Sequence, residues 1–201
     1  MDGFARRRAK KEQQIIAAAK KLFMAYGVQK VAITEIAQEA RVSQVTIYNY
    51  FKNKHRLVYE VILAMMEESA QMFVDIVYSD QAFPEKMKQM MAYKIEISQK
   101  INEEFYHYMM KEYVKPGGQL ETFMQEKIMK HWHVLLAEGR AYGYIDPTIS
   151  DEAILFYFEM MRDCVRQQEV YQKILPLTED ITKLFFYGLI GKSRDEGNTT
   201  S

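Results

Sequence analysis

The sequence has few of the residues that break, staple or anchor a chain: one cysteine, four prolines and nine glycines among 201 residues. The lone Cys164 has no partner for an internal disulfide, which fits a reducing, cytoplasmic setting. Turn-rich stretches at the spacing of short strands are missing and strong helix formers dominate, so an all-α fold is expected. No stretch approaches the roughly 18 uncharged apolar residues of a membrane span. No apolar run of signal-peptide length follows the basic start MDGFARRRAKKEQQ. There is no CxxC pair, no HExxH and no nucleotide-type glycine motif. His55, His107, His131 and His133 do not recur at metal-ligand spacing, and two histidines at i and i+2 on a helix point to different faces. No nucleophile–base pair or paired-carboxylate signature is present. The chain is therefore read as not an enzyme, with no catalytic residue, metal or cofactor expected.

What the chain does have is an uneven charge distribution. Its formal net charge is zero, yet residues 1–56 hold 12 Lys and Arg against 4 Asp and Glu, and residues 57–201 hold 15 against 23. A basic head on an acidic body implies a polyanionic partner for the head alone.

Apolar residues Ile15, Ile16, Ala19, Leu22, Phe23 and Tyr26 recur at helical spacing up to Gly27, predicting a helix over 10–26. A short helix follows over 33–40, with Ile33, Ile36, Ala37 and Ala40 on one face. Ala32 sits at its cap position without a side-chain oxygen, and Glu35 is placed to reach back to residue 32. Ser43 is a good N-cap for a third helix over 44–50, with Phe51 closing the small core. Two short helices joined by Arg41-Val42-Ser43 form a helix-turn-helix pattern. Asn53 caps a long helix over 54–78. Further helices are expected over 83–99, 101–114 (ended by Pro116-Gly117-Gly118), 119–141, 151–173 capped by Ser150, and 179–191 capped by Thr178 after Pro176. That makes about nine helices. The expected domains are a three-helix head with the helix-turn-helix over 1–55, a larger helical body over 56–192, and a polar, disordered tail over 193–201.

The run from Ala32 to Lys54, AITEIAQEARVSQVTIYNYFKNK, preceded by IIAAAKKLFMAYG over 15–27, resembles the DNA-binding domain of the TetR family of regulators. The resemblance covers about residues 10–60 and implies a transcriptional regulator, commonly a repressor released from its operator by a small molecule. Two positions depart from the family pattern: Arg41 stands where a turn glycine is common, and Val45 where a glycine is frequent. Arg41 therefore has to take a left-handed conformation or build the turn differently, and it adds charge near DNA.

In such a motif the second helix enters the major groove with its N-terminal residues on base edges. Gln44 suits a bidentate contact to adenine, and Val45 or the Thr46 methyl suits a thymine methyl, so an A·T pair is expected in each half-site. By resemblance, Thr46, Tyr48, Asn49 and Tyr50 meet the sugar-phosphate backbone and Lys54 grips a phosphate. Thr34, at the start of the second helix, is a further phosphate partner, and Arg41 and Ser43 complete the expected DNA-facing set. Ile36, Ala37, Ala40, Val42, Ile47 and Phe51 are core. Tyr50 is equally able to pack on helix one, and Arg6, Arg7, Arg8, Lys10 and Lys11 fit either a minor-groove arm or a solvated tail.

The resemblance also implies that helices five to seven enclose a small-molecule pocket and that the last two helices pair with a second copy. The body's many Met and Tyr residues suit an adaptable apolar wall. The candidate ligand-binding residues are Met90, Tyr93, Ile97, Phe105, Tyr108, Met109, Trp132, Tyr157, Met160 and Met161. A site for acids built on several arginines is disfavoured, because only Arg140, Arg162, Arg166 and Arg194 lie in the body. The helix from 151 is apolar over a wide face, which with Leu184, Phe185 and Leu189 suits a two-fold homodimer. The expected partners are an inverted-repeat DNA operator, a small effector and a second copy of the chain, with no membrane.

Overall fold

The computed structural model describes residues 3–113, 115, 118–165 and 167–190. Among them are nine helices and no strand: α1 (Gly3–Tyr26), α2 (Ile33–Glu39), α3 (Gln44–Phe51), α4 (Lys54–Val77), α5 (Phe83–Lys100), α6 (Glu103–Tyr113), α7 (Gln119–Ala141), α8 (Asp151–Val165) and α9 (Gln168–Ile190). The chain forms two compact units, one from residues 1–71 with 100–122, the other from 72–99 with 123–201.

In the first unit Ile15, Ala19 and Phe23 of α1, Ile36 of α2, Ile47 and Phe51 of α3 and Leu57 of α4 are buried together with Phe105 of α6. Phe23 and Phe105 meet at 5.8 Å between ring centroids. The join between α1 and α6 is a polar one at the end of α1. Asn102 donates its backbone N–H to the Met24 carbonyl at 2.9 Å, and its Oδ1 accepts from the N–H groups of Glu104 and Phe105, capping α6. The Glu104 carboxylate accepts the Gln29 N–H at 3.1 Å. Gly27, at φ +84, lets the chain turn beneath this junction.

The second unit has its core in Phe73, Phe83, Met87, Met90, Leu135, Leu136, Ile145 and Ile154. A buried lysine runs through it. Lys86, 4 % exposed, donates to the Val77 carbonyl at 2.9 Å and pairs with Glu138 at 2.7 Å. The Val77 carbonyl lies at the C-terminus of α4, where a cation is favoured.

Two boundaries differ from those the sequence predicts. Helix α1 starts at Gly3, not near residue 10, because Ala5–Glu12 are good helix formers even though residues 3–10 are exposed and bear no apolar stripe to signal it. Helix α8 stops at Val165, not 173, and α9 runs through Pro176, which was expected to precede it. The chain reverses where the Gln167 N–H bonds the Cys164 carbonyl, and rings of α8 then meet α9, with Phe158 at 5.0 Å from Phe185. Pro176 is exposed, so the missing ladder bond leaves no buried group unmet, and Thr178 bonds back to the Ile174 carbonyl instead of capping a new helix. The expected break at Pro116-Gly117 and the tail over 193–201 lie outside the described residues.

Candidate nucleic-acid interface

The turn between α2 and α3 is built by local hydrogen bonds. Ala40 and Arg41 N–H groups close the end of α2 on the Ile36 and Gln38 carbonyls, and Val42 N–H returns to Ala37. Arg41 adopts φ 51, the left-handed conformation the missing glycine requires. Gln14 of α1 donates its side-chain amide to the Ala40 carbonyl at 2.8 Å, fixing the turn to the first helix. At the start of α2 the Glu35 carboxylate takes the Ala32 N–H at 2.6 Å, half of a capping box, since Ala32 has nothing to offer in return.

Ser43 begins α3 in an extended conformation, its Oγ accepting the Thr46 N–H at 3.1 Å and lying 2.8 Å from Thr46 Oγ1. One hydroxyl donates to the other, which leaves a single O–H of the pair free to donate to a partner. Ile47 and Phe51 face the core at 1 % exposure, a rotation of about 100° per residue turns Val45 and Asn49 to the opposite side, and Gln44, in the first turn, and Tyr48 are exposed as well. Val45 is 68 % and Tyr48 46 % exposed, and Gln44 has no hydrogen-bond partner within the described chain. Thr34 is exposed in the first turn of α2 and Arg41 is exposed on the turn. Lys54 is half-buried, and its ammonium donates to the Val31 carbonyl at 2.5 Å. Asn53 caps α4 by accepting the Arg56 N–H at 2.8 Å. Of the residues assigned to the core, Val42 alone remains half-exposed.

The arm is helical. Phe4, Arg7, Arg8 and Lys11 of α1 line an open cleft of about 400 Å³ together with Thr46, Asn49 and Tyr50 of α3. The Arg8 guanidinium lies over the Tyr50 ring at 5.5 Å from its centroid, so Tyr50 does meet helix one, through a cation–π contact. Phe4 was not singled out from the sequence, and its only signal there is an aromatic placed one turn before the Arg7-Arg8 pair.

The ten candidate ligand-binding residues divide between the two units. Met90, Tyr93 and Ile97 of α5, Trp132 of α7, and Tyr157, Met160 and Met161 of α8 belong to the second; Phe105, Tyr108 and Met109 of α6 belong to the first. Phe105 is fully buried in the first unit's core, and Tyr108 hydrogen-bonds the His55 ring. Trp132 sits between Phe73 at 5.1 Å and Phe158 at 4.6 Å. Tyr157 and Met160 are 39 % and 47 % exposed, so they line the outside of their unit. Among the described residues no cluster of His, Cys, Asp and Glu could hold a metal, and no helix is long and apolar enough to cross a membrane.

Residues 15–61, which contain this helix-turn-helix, match the family model described as bacterial regulatory proteins, tetR family. That region is identified as a DNA-binding domain of the tetR type. TetR proteins of known structure share its fold over nearly the whole length. The TetR transcription regulatory protein of Mycobacterium vanbaalenii superposes with a TM-score of 0.59 at 17% identity, covering 93% of this chain and 99% of that one. A TetR/AcrR regulator of Thermobifida fusca gives 0.59 at 18%, covering 92% and 100%. The transcriptional regulator FadR of Bacillus subtilis, in complex with stearoyl-CoA, gives 0.53 at 19%, covering 88% and 98%. No curated protein matches the chain in sequence. The TetR fold and helix-turn-helix point to DNA-binding regulation of transcription.

Proposed function

We propose that this chain is a homodimeric repressor of the TetR family that holds an inverted-repeat operator and releases it when a small, mostly apolar ligand occupies the body. The observation that carries the DNA half of this reading is the outer face of α3: Gln44 and Val45 are exposed, and the Gln44 amide is unengaged. They stand at the N-terminal turn that meets base edges in a major groove, where Gln reads adenine and Val packs on a thymine methyl. Thr34, Asn49, Arg7, Arg8 and Lys11 surround them with groups for phosphate, and Lys54 would have to exchange or share its Val31 carbonyl to join. We take residues 1–55 as the DNA-reading head and 56–192 as the sensing and dimerising body.

The dimer reading is supported by an apolar stripe on the last two helices. Phe156 and Met160 of α8 and Leu184 and Tyr187 of α9 are 47–73 % exposed, and nothing lies within 4 Å of a side chain built at Gly188. Large apolar groups gathered on one face without cover mark a protein contact, and a two-fold axis would bring the same stripe from each copy together. The apolar character of the effector is supported by the Met- and aromatic-rich body and, by analogy of fold, by the long acyl chain of the ligand that FadR of Bacillus subtilis holds.

The test is selection of bound sequences from a random DNA pool by the purified protein at a stated salt concentration. The expected result is an inverted repeat with half-sites about one helical turn apart, ~34–36 Å, with an A·T pair at matching positions. Gln44→Ala should then relax one position in each arm, at a cost of about 10- to 100-fold on the preferred site. Weak binding that is salt-sensitive and without enrichment would overturn the reading.

A further inference from the structure

The core-facing side of α1 changes character toward its N-terminus. Ile15, Ala18 and Ala19 are buried, and at about 100° per residue their stripe continues outward through Lys11, Arg8, Arg7 and Phe4. These four form one wall of the cleft of about 400 Å³, and Thr46, Asn49 and Tyr50 of α3 form the other. Arg6 and Lys10 fall on the far side of the helix by the same rotation, outside the lining. Three cations and no acid therefore line this opening, and no carboxylate of the described residues pairs with them. Like charges gathered without counter-charge repel one another and raise the local concentration of anions.

The helical form of α1 from Gly3 onward decides how these charges are used. A minor groove is about 6 Å wide and a helix with its side chains about 10–12 Å, so this arm cannot enter one as an extended chain would. Its cations are directed sideways instead, toward whatever lies along α3. With α3 in a major groove, that is the sugar-phosphate strand at the edge of the groove. Arg8 is already placed for it. Its guanidinium lies over the Tyr50 ring at 5.5 Å from the centroid, and the half-buried Tyr50 ring stands 6.1 Å from that of Phe51, a core residue. The contact uses the charge of the guanidinium and leaves its in-plane N–H donors for a phosphate. The Tyr50 hydroxyl makes no hydrogen bond among the described residues.

We propose that the cleft between α1 and α3 clamps the phosphodiester backbone of one DNA strand, and that Tyr50 is a positioning residue in it, its ring holding Arg8 over the strand. This rests on the DNA reading above and deepens it. The resemblance expects Tyr50 itself to meet the backbone, whereas here the charge is delivered by Arg8, which precedes the residues 15–61 matched to the family. Holding a long side chain in place beforehand reduces the rotamer freedom lost on binding. A phosphate contact fixes register and adds affinity without reading sequence, so the clamp acts on every duplex alike.

The experiment is fluorescence anisotropy of the full chain on the selected operator and on an unrelated duplex, from about 50 to 200 mM salt. The proteins are wild type, Arg8→Ala, Arg6→Ala, Tyr50→Phe and Tyr50→Leu. Arg8→Ala should weaken binding to both duplexes about 10-fold and lower the slope of log K on log salt by about 0.9 per head. Arg6→Ala, an equal loss of charge off the cleft, should lower the slope by less than half as much. Tyr50→Phe keeps the ring and should bind as wild type does. Tyr50→Leu should reproduce Arg8→Ala, and the double variant should bind little more weakly than either. If Tyr50→Leu does not fold by circular dichroism, the other three variants decide. The proposal falls if Arg8→Ala and Arg6→Ala behave alike, or if Tyr50→Phe weakens binding as Arg8→Ala does, since the hydroxyl would then be the contact. Operator binding unchanged in Arg8→Ala overturns the clamp and leaves the DNA reading standing, whereas wild type that binds no duplex at any salt overturns both.

Discussion

Replacing Gly27 by alanine tests the junction between α1 and α6. The backbone there is at φ +84, where an L side chain costs about 1–2 kcal/mol, offset by roughly 0.5 kcal/mol from a stiffer unfolded chain. A Cβ would stand 2.2 Å from Glu104 Oε2 and 2.8 Å from Asn102 Oδ1. Both side chains must move, and both are employed: Glu104 holds the Gln29 N–H and Asn102 caps α6. Losing the first costs about 0.5–1 kcal/mol because the bond is exposed, and weakening the cap costs about 1 kcal/mol. The expected total is ~2–3 kcal/mol, or about 5–10 °C in melting temperature for a chain of this size. The assay is thermal and urea denaturation followed by helical circular dichroism. Glu104→Ala removes one of the two clashes, so Gly27→Ala in that background should cost about 1 kcal/mol less. A loss under ~0.5 kcal/mol for the single variant, or no coupling with Glu104, would refute the reasoning.

Three further outcomes are expected. Lys86→Met strands Glu138, which is only 21 % exposed, and should lower stability by about 3 kcal/mol in urea denaturation; a loss below ~1 kcal/mol would show that the pair contributes little. The Arg140 guanidinium beside Asp151, with His133, holds that carboxyl below the usual aspartate range. A depressed folded pKa gives stability that is present above the unfolded value, ~3.9, and is lost as pH falls through the folded one. Asp151→Asn should therefore be less stable than wild type at pH 6, with the gap closing as pH falls below the unfolded value and shrinking in high salt; a gap unchanged from pH 6 into the acid range would assign it to something other than the charge. Phe156→Glu and Leu184→Glu place charge on the exposed α8–α9 stripe and should give monomers by light scattering and weaken operator binding at least 10-fold; an intact dimer would put the interface elsewhere.

The helix-turn-helix was legible because its determinants are local. Ser43 is spaced to cap α3, Asn53 to cap α4, Ile36, Ala37, Ile47 and Phe51 to share one buried side, and Gly27 to end α1. Those signals depend on residues within a turn or two, so periodicity and capping chemistry suffice to read them; the exposure of Val45 follows from the same 3.6-residue repeat, and that of Gln44 from its place in the first turn of α3. Arg41 likewise announced its strained backbone by standing where a glycine is common. Packing between distant segments decided the rest. The exposed first turns of α1 carry no stripe, and their place in the site comes from Arg8 meeting Tyr50, 42 residues away. Pro176 breaks a helix by local rules, but an exposed proline costs only a ladder bond, so α9 continues through it while the reversal falls at Gln167, where no glycine or proline marks it. Lys54 read as a free phosphate ligand until the fold put the Val31 carbonyl within its reach. Lys86 is the clearest case: the sequence determines its charge, but only the tertiary structure buries it and brings the Val77 carbonyl and the Glu138 carboxylate to it, because desolvation is the sum of everything packed around a group.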